Sequence, residues 1–177
     1  QLKKAVEMFR ASPPDVVCLQ SRLNYYNAND NLLTRFFSLE YTILFHFMLY
    51  GLERLGIPIP LAGTSNHIGL ERLKAVGEWD PYNVTEDADL GIRLAAAGFK
   101  TRMLDSYTME EAPGRLWPWI AQRSRWIKGY MQTYLVHMRH PWSFLKENGI
   151  HAILFQLIVG AKLSFLFINP ILWITTI

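Results

Sequence analysis

Three polar side chains that could carry out acid–base chemistry stand together at Thr85, Glu86 and Asp87. Threonine is a favourable N-cap, and carboxylates in the first helical turn are stabilised by the helix dipole. Asp87 lies three and seven residues before Leu90 and Leu94, which places it on the same helix face. A carboxylate at the mouth of a buried apolar stripe predicts a general base at the end of a cleft. The alternative is an ordinary solvated helix start.

The same segment contains an Asp-x-Asp sequence, formed by Asp87 and Asp89. Such a pair could in principle bind a divalent metal. On a helix, however, residues i and i+2 point about 160° apart, so the two carboxylates cannot easily share one ion. We therefore predict no metal ligands in this chain.

A second group of ligand-binding candidates follows at Gln122, Arg123, Arg125 and Trp126. On a helix, Gln122, Arg125 and Trp126 share one surface, because they are three and four residues apart. A guanidinium can bond two oxygens of a phosphate, and an indole offers a flat face to the C–H side of a sugar. The spacing therefore predicts a site for an anion beside an apolar ring face. A membrane-interface pair of arginine and tryptophan is the alternative.

Small and hydroxylated residues form a third candidate, at Gly63, Thr64, Ser65 and Asn66. A glycine and short side chains let a ligand approach the backbone closely. Taken alone, the segment is also compatible with a plain turn.

The elements that must position these groups alternate between helix and strand. Apolar spacing and turn residues predict, in order, a helix at 1–11, a strand at 15–20, a loop at 24–31, a helix at 32–55, a strand at 59–66, helices at 70–76 and 85–97, and a strand at 99–104. This order indicates an α/β domain. Apolar residues make up 50% of the chain, which excludes a disordered protein. The single cysteine excludes a disulfide scaffold and a cysteine zinc site.

Charge is unevenly distributed along the chain, although the net charge is only +3. Residues 112–146 contain no acid, six lysines or arginines, and four of the six tryptophans. Basic residues with interleaved tryptophan before an apolar run are typical of a cytoplasmic membrane interface. A nucleic-acid patch is the rival interpretation. Because the apolar run already accounts for the basic flank, we expect no nucleic-acid partner.

The apolar run covers residues 150–177, long enough to cross a bilayer core of about 30 Å at about 1.5 Å per residue. Lys162 should snorkel or face protein, and Asn169-Pro170 should kink or split the helix. A buried soluble helix is the alternative. Within the helix predicted at 32–55, the stretch from Phe36 to Leu52 has 17 residues and one charge, which is the lower limit of a spanning length, so a membrane span is the alternative interpretation of this helix. We expect it to lie on the membrane, with one side buried against the α/β domain.

Together these segments resemble a known family. A Thr-Glu-Asp segment, followed about 35 residues later by Gln-x-x-Arg-Trp and then by an apolar helix, is similar to the membrane-integrated family-2 glycosyltransferases. These include the catalytic subunit of bacterial cellulose synthase and the chitin and hyaluronan synthases. The stretches TEDADLGIRLAAAGFKTRML and QRSRWIKGYMQTYLVHMRHP are both close to the family pattern. The resemblance extends over residues 1–177.

The resemblance implies a fold and a reaction. The fold would be the C-terminal half of a glycosyltransferase-A, Rossmann-like α/β domain with amphipathic interface helices, followed by a transmembrane helix. The reaction would be inverting transfer of a sugar from a uridine-linked nucleotide sugar to a growing polysaccharide or a glycolipid acceptor. Asp87 would be the general base that deprotonates the acceptor hydroxyl, and Thr85 and Glu86 would shape the helix start.

The resemblance also implies which residues bind the substrates. Gln122 and Arg125 would bind the pyrophosphate, with Arg125 stabilising the departing charge. Trp126 would stack under the acceptor sugar, and Gly63–Asn66 resembles the small-residue loop beneath that sugar. The full set of implied substrate-binding residues is Gln122, Arg123, Arg125, Trp126, Gly63, Thr64, Ser65 and Asn66.

The implied organisation is a partial catalytic domain at 1–112, membrane-interface helices with the Gln-x-x-Arg-Trp motif at 113–149, and a transmembrane segment at 150–177. The family's two upstream aspartate motifs are absent from residues 1–84. The ligands of a divalent cofactor, Mg or Mn, would then lie upstream of Gln1. We expect a fragment of a multi-pass protein of the cell inner membrane, in contact with lipid, with its catalytic part facing the cytosol. A non-catalytic, membrane-anchored interaction subunit that keeps the fold is the alternative.

Overall fold

A three-stranded sheet lies at the centre of the described part of the chain. The computed structural model describes residues 1–176, apart from the side chains at positions 147, 148, 151, 158, 162, 173 and 176. The strands are β1 (Val16–Tyr25), β2 (Asn66–Ile68) and β3 (Lys100–Glu110), in the order β2-β1-β3. β1 is parallel to β3 and antiparallel to β2. Since parallel neighbours need a long crossover, the helices between β1 and β3 connect one end of the sheet to the other.

Helices cover and extend this sheet. They are α1 (Leu2–Ala11), α2 (Leu32–Thr42), α3 (Leu49–Arg54), α4 (Leu70–Ala75), α5 (Glu86–Ala96), α6 (Leu116–His137), α7 (Pro141–Asn148), α8 (Ile150–Phe155) and α9 (Ala161–Thr176). Two π-helical segments, Ile43–Met48 and Gln156–Gly160, join α2 to α3 and α8 to α9. The predicted α/β class is confirmed.

Both faces of the central strand are covered by helices. Successive side chains of a strand point to opposite sides, so neighbouring residues pack against different helices. Val17 packs with Leu73 of α4 and Leu90 of α5 on one face. Val16 packs with Ala5 of α1 on the other. The core therefore fixes α5, whose first turn contains the candidate base, directly against the sheet.

The strand predicted at 59–66 is wrong except for Asn66, where β2 begins. Pro58 and Pro60 carry no N–H group to donate to a strand ladder. Further along this segment, the buried side chain of Gln20 makes the hydrogen bonds that a neighbouring strand would otherwise make. Its Oε1 accepts the backbone N–H of Ala62 at 2.9 Å, and its Nε2 donates to the carbonyl oxygen of Thr64 at 3.0 Å. Residues 59–65 are therefore a loop, and the side chain of Gln20 holds it at Ala62 and Thr64.

The helical stretch Leu32–Arg54 is, within the described residues, the one helix long and apolar enough to cross a membrane. Its two sides differ in burial. Phe37 and Phe45 are buried in the domain, whereas Phe36 and Phe47 are 61% and 69% exposed. This pattern agrees with the expected helix that is buried on one side and apolar on the other.

The C-terminal segment is helical from Ile150 to Thr176, through α8, the second π-helical segment and α9. Pro170 lies inside α9, so the expected split at Asn169-Pro170 is not found. Leu163–Leu172 forms a shorter apolar helix in the described part of the chain. The side chain of Lys162 and the whole of residue 177 lie outside the described residues. The transmembrane span at 150–177 therefore stays a prediction.

Candidate active site

The carboxylate of Asp87 lies against the backbone of the small-residue loop. A Cβ placed on Gly63 would be 3.3 Å from Asp87 Oδ2, so the missing side chain of the glycine makes room for the carboxylate. Asp87 Oδ1 accepts the backbone N–H of Ala88 at 2.8 Å. Two groups that are separate in the sequence, Gly63–Asn66 and Thr85–Asp87, therefore meet in the fold.

Hydrogen bonds hold the rest of that loop in place. Ser65 has a φ of +59°, and its carbonyl oxygen accepts the backbone N–H of Ser21 at 3.1 Å. The hydroxyl of Ser65 bonds to that of Thr108 on β3, and the amide of Asn66 donates to the carbonyl oxygen of Ala62. These hydrogen bonds fix the loop to β1 and β3, and they hold Gly63 in position next to Asp87.

Burial raises the pKa of Asp87 from its usual 3.8 to about 6, with a smaller contribution from the negative charge of Glu86. Backbone N–H groups, including that of Ala88, act in the opposite direction. A general base works best when its pKa is close to the working pH, because it is then ionised and still basic. The environment of Asp87 suits the predicted proton acceptor.

The raised pKa predicts a pH-dependent gain in stability for Asp87→Asn. A carboxyl whose pKa is higher in the folded state contributes stability at low pH and loses it as pH rises through about 6. The neutral amide should therefore raise the free energy of unfolding at pH 8 by about 2 kcal/mol and change it little below about pH 4. Thermal unfolding across this pH range measures the difference.

Two other carboxylates serve as controls for that experiment. Asp30 is exposed, so Asp30→Asn should change stability by less than about 0.5 kcal/mol at either pH. Asp89 is buried, but hydrogen bonds from His137 and Arg93 outweigh the effect of burial and lower its pKa. Asp89→Asn should therefore destabilise the fold at neutral pH. A wild-type protein as stable as Asp87→Asn at pH 8 would contradict the raised pKa.

A buried polar network joins the start of α5 to α6. Asn83 accepts the backbone N–H of Thr85 at 3.0 Å, and its Nδ2 donates to Thr133 Oγ1 at 2.9 Å. Thr85 occupies the N-cap position, yet its side chain makes no capping bond. The predicted N-cap position is thus confirmed, but the hydroxyl of Thr85 is turned toward Asn83 and Thr133 instead of capping the helix. Thr85 is an interhelical contact residue.

Gly129 allows α6 to approach α5 closely. A Cβ on Gly129 would lie only 2.4 Å from Thr85 Cγ2, closer than any pair of non-bonded carbons can pack. Arg125 is one helical turn before Gly129, which corresponds to about 6 Å along the helix axis. Arg125 therefore lies on the part of α6 that is close to the start of α5, where the candidate base Asp87 is.

The side chains of the Gln-x-x-Arg-Trp segment have different surroundings. Gln122 Oε1 is buried and has no hydrogen-bond partner in the described residues, which leaves it available to a donor on a ligand. Arg125 is exposed and makes no ion pair within the described part of the chain. Trp126 is half-buried and packs near Phe37 and Tyr41 of α2, at ring-centroid distances of 6.5 and 6.4 Å.

Arg123 is already bound within the protein. Its guanidinium makes a two-point ion pair with Glu40 of α2. It also lies over the rings of Phe37, Trp119 and Trp126, at 5.0, 5.5 and 4.8 Å. Of the two arginines in the motif, Arg125 therefore has the donors free for a phosphate, whereas Arg123 fixes α6 to α2.

The structure offers no site for a divalent metal in the described residues. No group of three His, Cys, Asp or Glu side chains there is placed to hold one. Asp89 is bound to Arg93 and His137 rather than facing Asp87. The residues present thus do not fit the metal implied by the resemblance, and its ligands upstream of Gln1 stay a prediction.

Sequence reasoning missed several residues that build the site. Gln20 supports the loop, and Gly129, Thr133 and His137 of α6 contact α5 or its preceding residues. A signal for the last three was present: they follow Arg125 at four-residue intervals, on successive turns of one helix. Small and polar residues at that spacing indicate a close helix contact.

Comparison with known proteins identifies the family of this chain. The sequence pattern of glycosyl transferase family group 2 matches residues 1–177. The chain belongs to this family. The Asp87–Gly63 contact and the α5–α6 contact are therefore features of a glycosyltransferase domain.

Named relatives include both glycolipid and polysaccharide enzymes. The chain is 33% identical over 111 residues to the probable glycosyltransferase YdaM of Bacillus subtilis, covering 62% of this chain and 26% of that protein. It is 31% identical over 161 residues to beta-monoglucosyldiacylglycerol synthase of Synechocystis, covering 86% and 32%. It is 30% identical over 125 residues to probable glucomannan 4-beta-mannosyltransferase 1 of Arabidopsis thaliana, covering 68% and 22%. The chain thus spans about a third or less of these curated relatives.

Proposed function

We propose that the complete protein transfers a sugar, with inversion, from a nucleotide sugar to an acceptor hydroxyl at a membrane surface. The observation that carries this proposal is the Asp87 carboxylate. It is half-buried against Gly63, its pKa is raised to about 6, and it lies in the first turn of a helix that is held against α6. Family membership supplies the reaction class.

In the proposed reaction, Asp87 takes the proton of the acceptor hydroxyl. The acceptor oxygen forms a bond to the anomeric carbon as the bond from that carbon to the diphosphate oxygen breaks. The electron pair of the broken bond leaves with the nucleoside diphosphate. Arg125 stabilises this departing charge, because its guanidinium is exposed and unpaired within the described residues. One base and no covalent intermediate suffice for inversion at the anomeric carbon.

We assign side chains to the donor or the acceptor from the surroundings of each side chain. The unpartnered Oε1 of Gln122 accepts from a ligand hydroxyl or amide. The loop Gly63–Asn66 lies beside Asp87. We assign Trp126 to the acceptor sugar as well, because its indole is only half-buried by Phe37 and Tyr41. We therefore place the acceptor sugar between the loop and α6.

The membrane location is supported by two surfaces. The helical stretch Leu32–Arg54 exposes Phe36 and Phe47 on the side away from the core. The acid-free segment 112–146 is basic and rich in tryptophan, which favours the cytosolic side of a membrane. We therefore propose a membrane-associated enzyme whose catalytic part faces the cytosol. The acceptor class stays open between a lipid and a polysaccharide, since the named relatives include both.

A transfer assay tests the proposed function. Membranes containing the complete protein are incubated with radiolabelled uridine and guanosine diphosphate sugars of glucose and mannose. The label is then followed separately into the lipid extract and into insoluble polymer. We expect one donor to give product in one fraction, and digestion with anomer-specific glycosidases should show a β-linkage from an α-linked donor. An α-linked product would contradict inversion, and no transfer from any donor would contradict the proposed activity.

A further inference from the structure

An ion-pair network lies outside the residues of the three groups. Asp89 is 7% exposed, and its two carboxylate oxygens have different partners. Oδ2 accepts from Arg93 Nε at 2.7 Å, and Oδ1 lies 2.9 Å from His137 Nε2. Arg93 is four residues further along α5, whereas His137 is the last residue of α6. The carboxylate of Asp89 therefore joins the two helices.

Arg93 extends the network to the segment that precedes α5. Its Nη1 donates to the carbonyl oxygen of Val76 at 2.6 Å, and its Nη2 donates to that of Glu78 at 2.7 Å. Glu78 has a φ of +58°, which is uncommon for a residue with a side chain. The guanidinium thus fixes a turn that the backbone alone would not favour, and the same guanidinium orients Asp89 toward His137.

The ring of His137 is held on its other side by aromatic side chains. Its centroid lies 5.6 Å from that of Phe144 and 5.3 Å from that of Phe155. The imidazole therefore cannot swing away without disturbing the packing of α7 and α8. Lowering of the pKa of Asp89 by its hydrogen bonds agrees with a carboxylate that stays ionised in this position.

We propose that His137 is a positioning residue for sugar transfer. Through Asp89 it fixes α5 against α6, and so it sets the separation between the base, Asp87, and the leaving-group site at Arg125. The inference rests on the proposed function. The base is two residues from Asp89, and Arg125 shares its helix with His137. The hydrogen bond between His137 and Asp89, here called the tie, therefore connects the helix of the base to the helix of the leaving-group site. Transfer depends on that separation far more steeply than binding of the donor does.

Substitution of His137 should change the rate of transfer but not the binding of the donor. For the donor that gives product in the transfer assay, His137→Leu should lower kcat by about tenfold per folded molecule. The donor KM and the Kd for the corresponding nucleoside diphosphate, uridine or guanosine, should stay within about twofold of wild type. His137→Gln keeps an N–H donor at a similar distance and should recover most of the rate. His140→Leu is the matched control, because His140 is exposed three residues further on and should change neither quantity.

Thermal unfolding gives a readout that does not depend on activity. If the tie exists, the melting-temperature shifts of His137→Leu and Asp89→Asn should be strongly non-additive in the double variant, because each removes the same contact. Additive shifts would overturn the tie. An unchanged kcat in His137→Leu, or a rise in KM with kcat preserved, would overturn the positioning role. A wild-type protein that transfers no sugar would instead contradict the proposed function, while the unfolding cycle would still decide whether the tie exists.

Discussion

Replacing Asp87 by asparagine should reduce sugar transfer by about 10²–10⁴-fold in the complete protein, the usual effect of losing a general base. The amide has the same shape as the carboxylate but cannot accept the acceptor proton. Donor binding should persist, because the residues proposed to bind the diphosphate lie on a different helix. Initial rates with saturating donor, together with the Kd for the nucleoside diphosphate of that donor, uridine or guanosine, measure the two effects separately.

The isosteric control is Asp30→Asn, at an exposed carboxylate on the loop before α2, which should retain full activity. The stability of the variants adds a second control, because Asp87→Asn is expected to be more stable than wild type at pH 8. Loss of transfer could then not be attributed to unfolding. Turnover of Asp87→Asn within a few-fold of wild type would exclude Asp87 as the base.

Gly129→Ala should be strongly destabilising, because the added methyl group would overlap the side chain of Thr85. The new Cβ would lie 2.4 Å from Thr85 Cγ2, 2.7 Å from Thr85 Oγ1 and 2.9 Å from Thr85 Cβ. Inserting a methyl group into such a contact forces the helices apart and costs about 1–3 kcal/mol. Because Thr85 is two residues before Asp87, we also expect transfer to fall at least about tenfold. Melting temperature and kcat of the purified protein test both effects.

Gly51→Ala is the matched control, since Gly51 is also helical and has no atom within 4 Å of an added Cβ. There the substitution should stabilise the helix by up to about 1 kcal/mol, because alanine is a better helix former than glycine. Thr85→Ser removes the closest methyl group and should restore part of the stability of Gly129→Ala. Equal effects of Gly129→Ala and Gly51→Ala would show that α5 and α6 are not in close contact.

Local features of the fold could be predicted from the sequence, because they depend on residues near each other in the chain. Apolar spacing identified α5, and the burial of Leu90 and Leu94 confirms the face on which Asp87 was placed. β1 and β3 are longer than predicted, extending to Tyr25 and Glu110. Their polar ends resemble loops until the two strands pair with each other in parallel. This pairing depends on residues more than eighty positions apart.

The contacts that assemble the candidate site were not predictable in this way. The sequence marks Gly63, Asp87 and Arg125 as unusual, but it does not say that Gly63 touches Asp87. Nor does it distinguish Arg123, bound by Glu40, from Arg125, which makes no ion pair within the described part of the chain. Both distinctions depend on how the loop and α2 pack against distant helices. Residue types thus suggest candidate chemistry, and tertiary packing determines which of the candidate side chains lie together.

The contact between Gly63 and Asp87 has a consequence for how this family varies in evolution. Gly63 does not have a positive φ, so its backbone does not require glycine. What disfavours a larger residue is the carboxylate 3.3 Å from where its Cβ would be, because that carboxylate would have to shift. The two positions should therefore covary: a homologue that has lost the carboxylate is free to acquire a side chain opposite it. A glycine retained at this position is then a sequence marker of a chain still under selection for turnover.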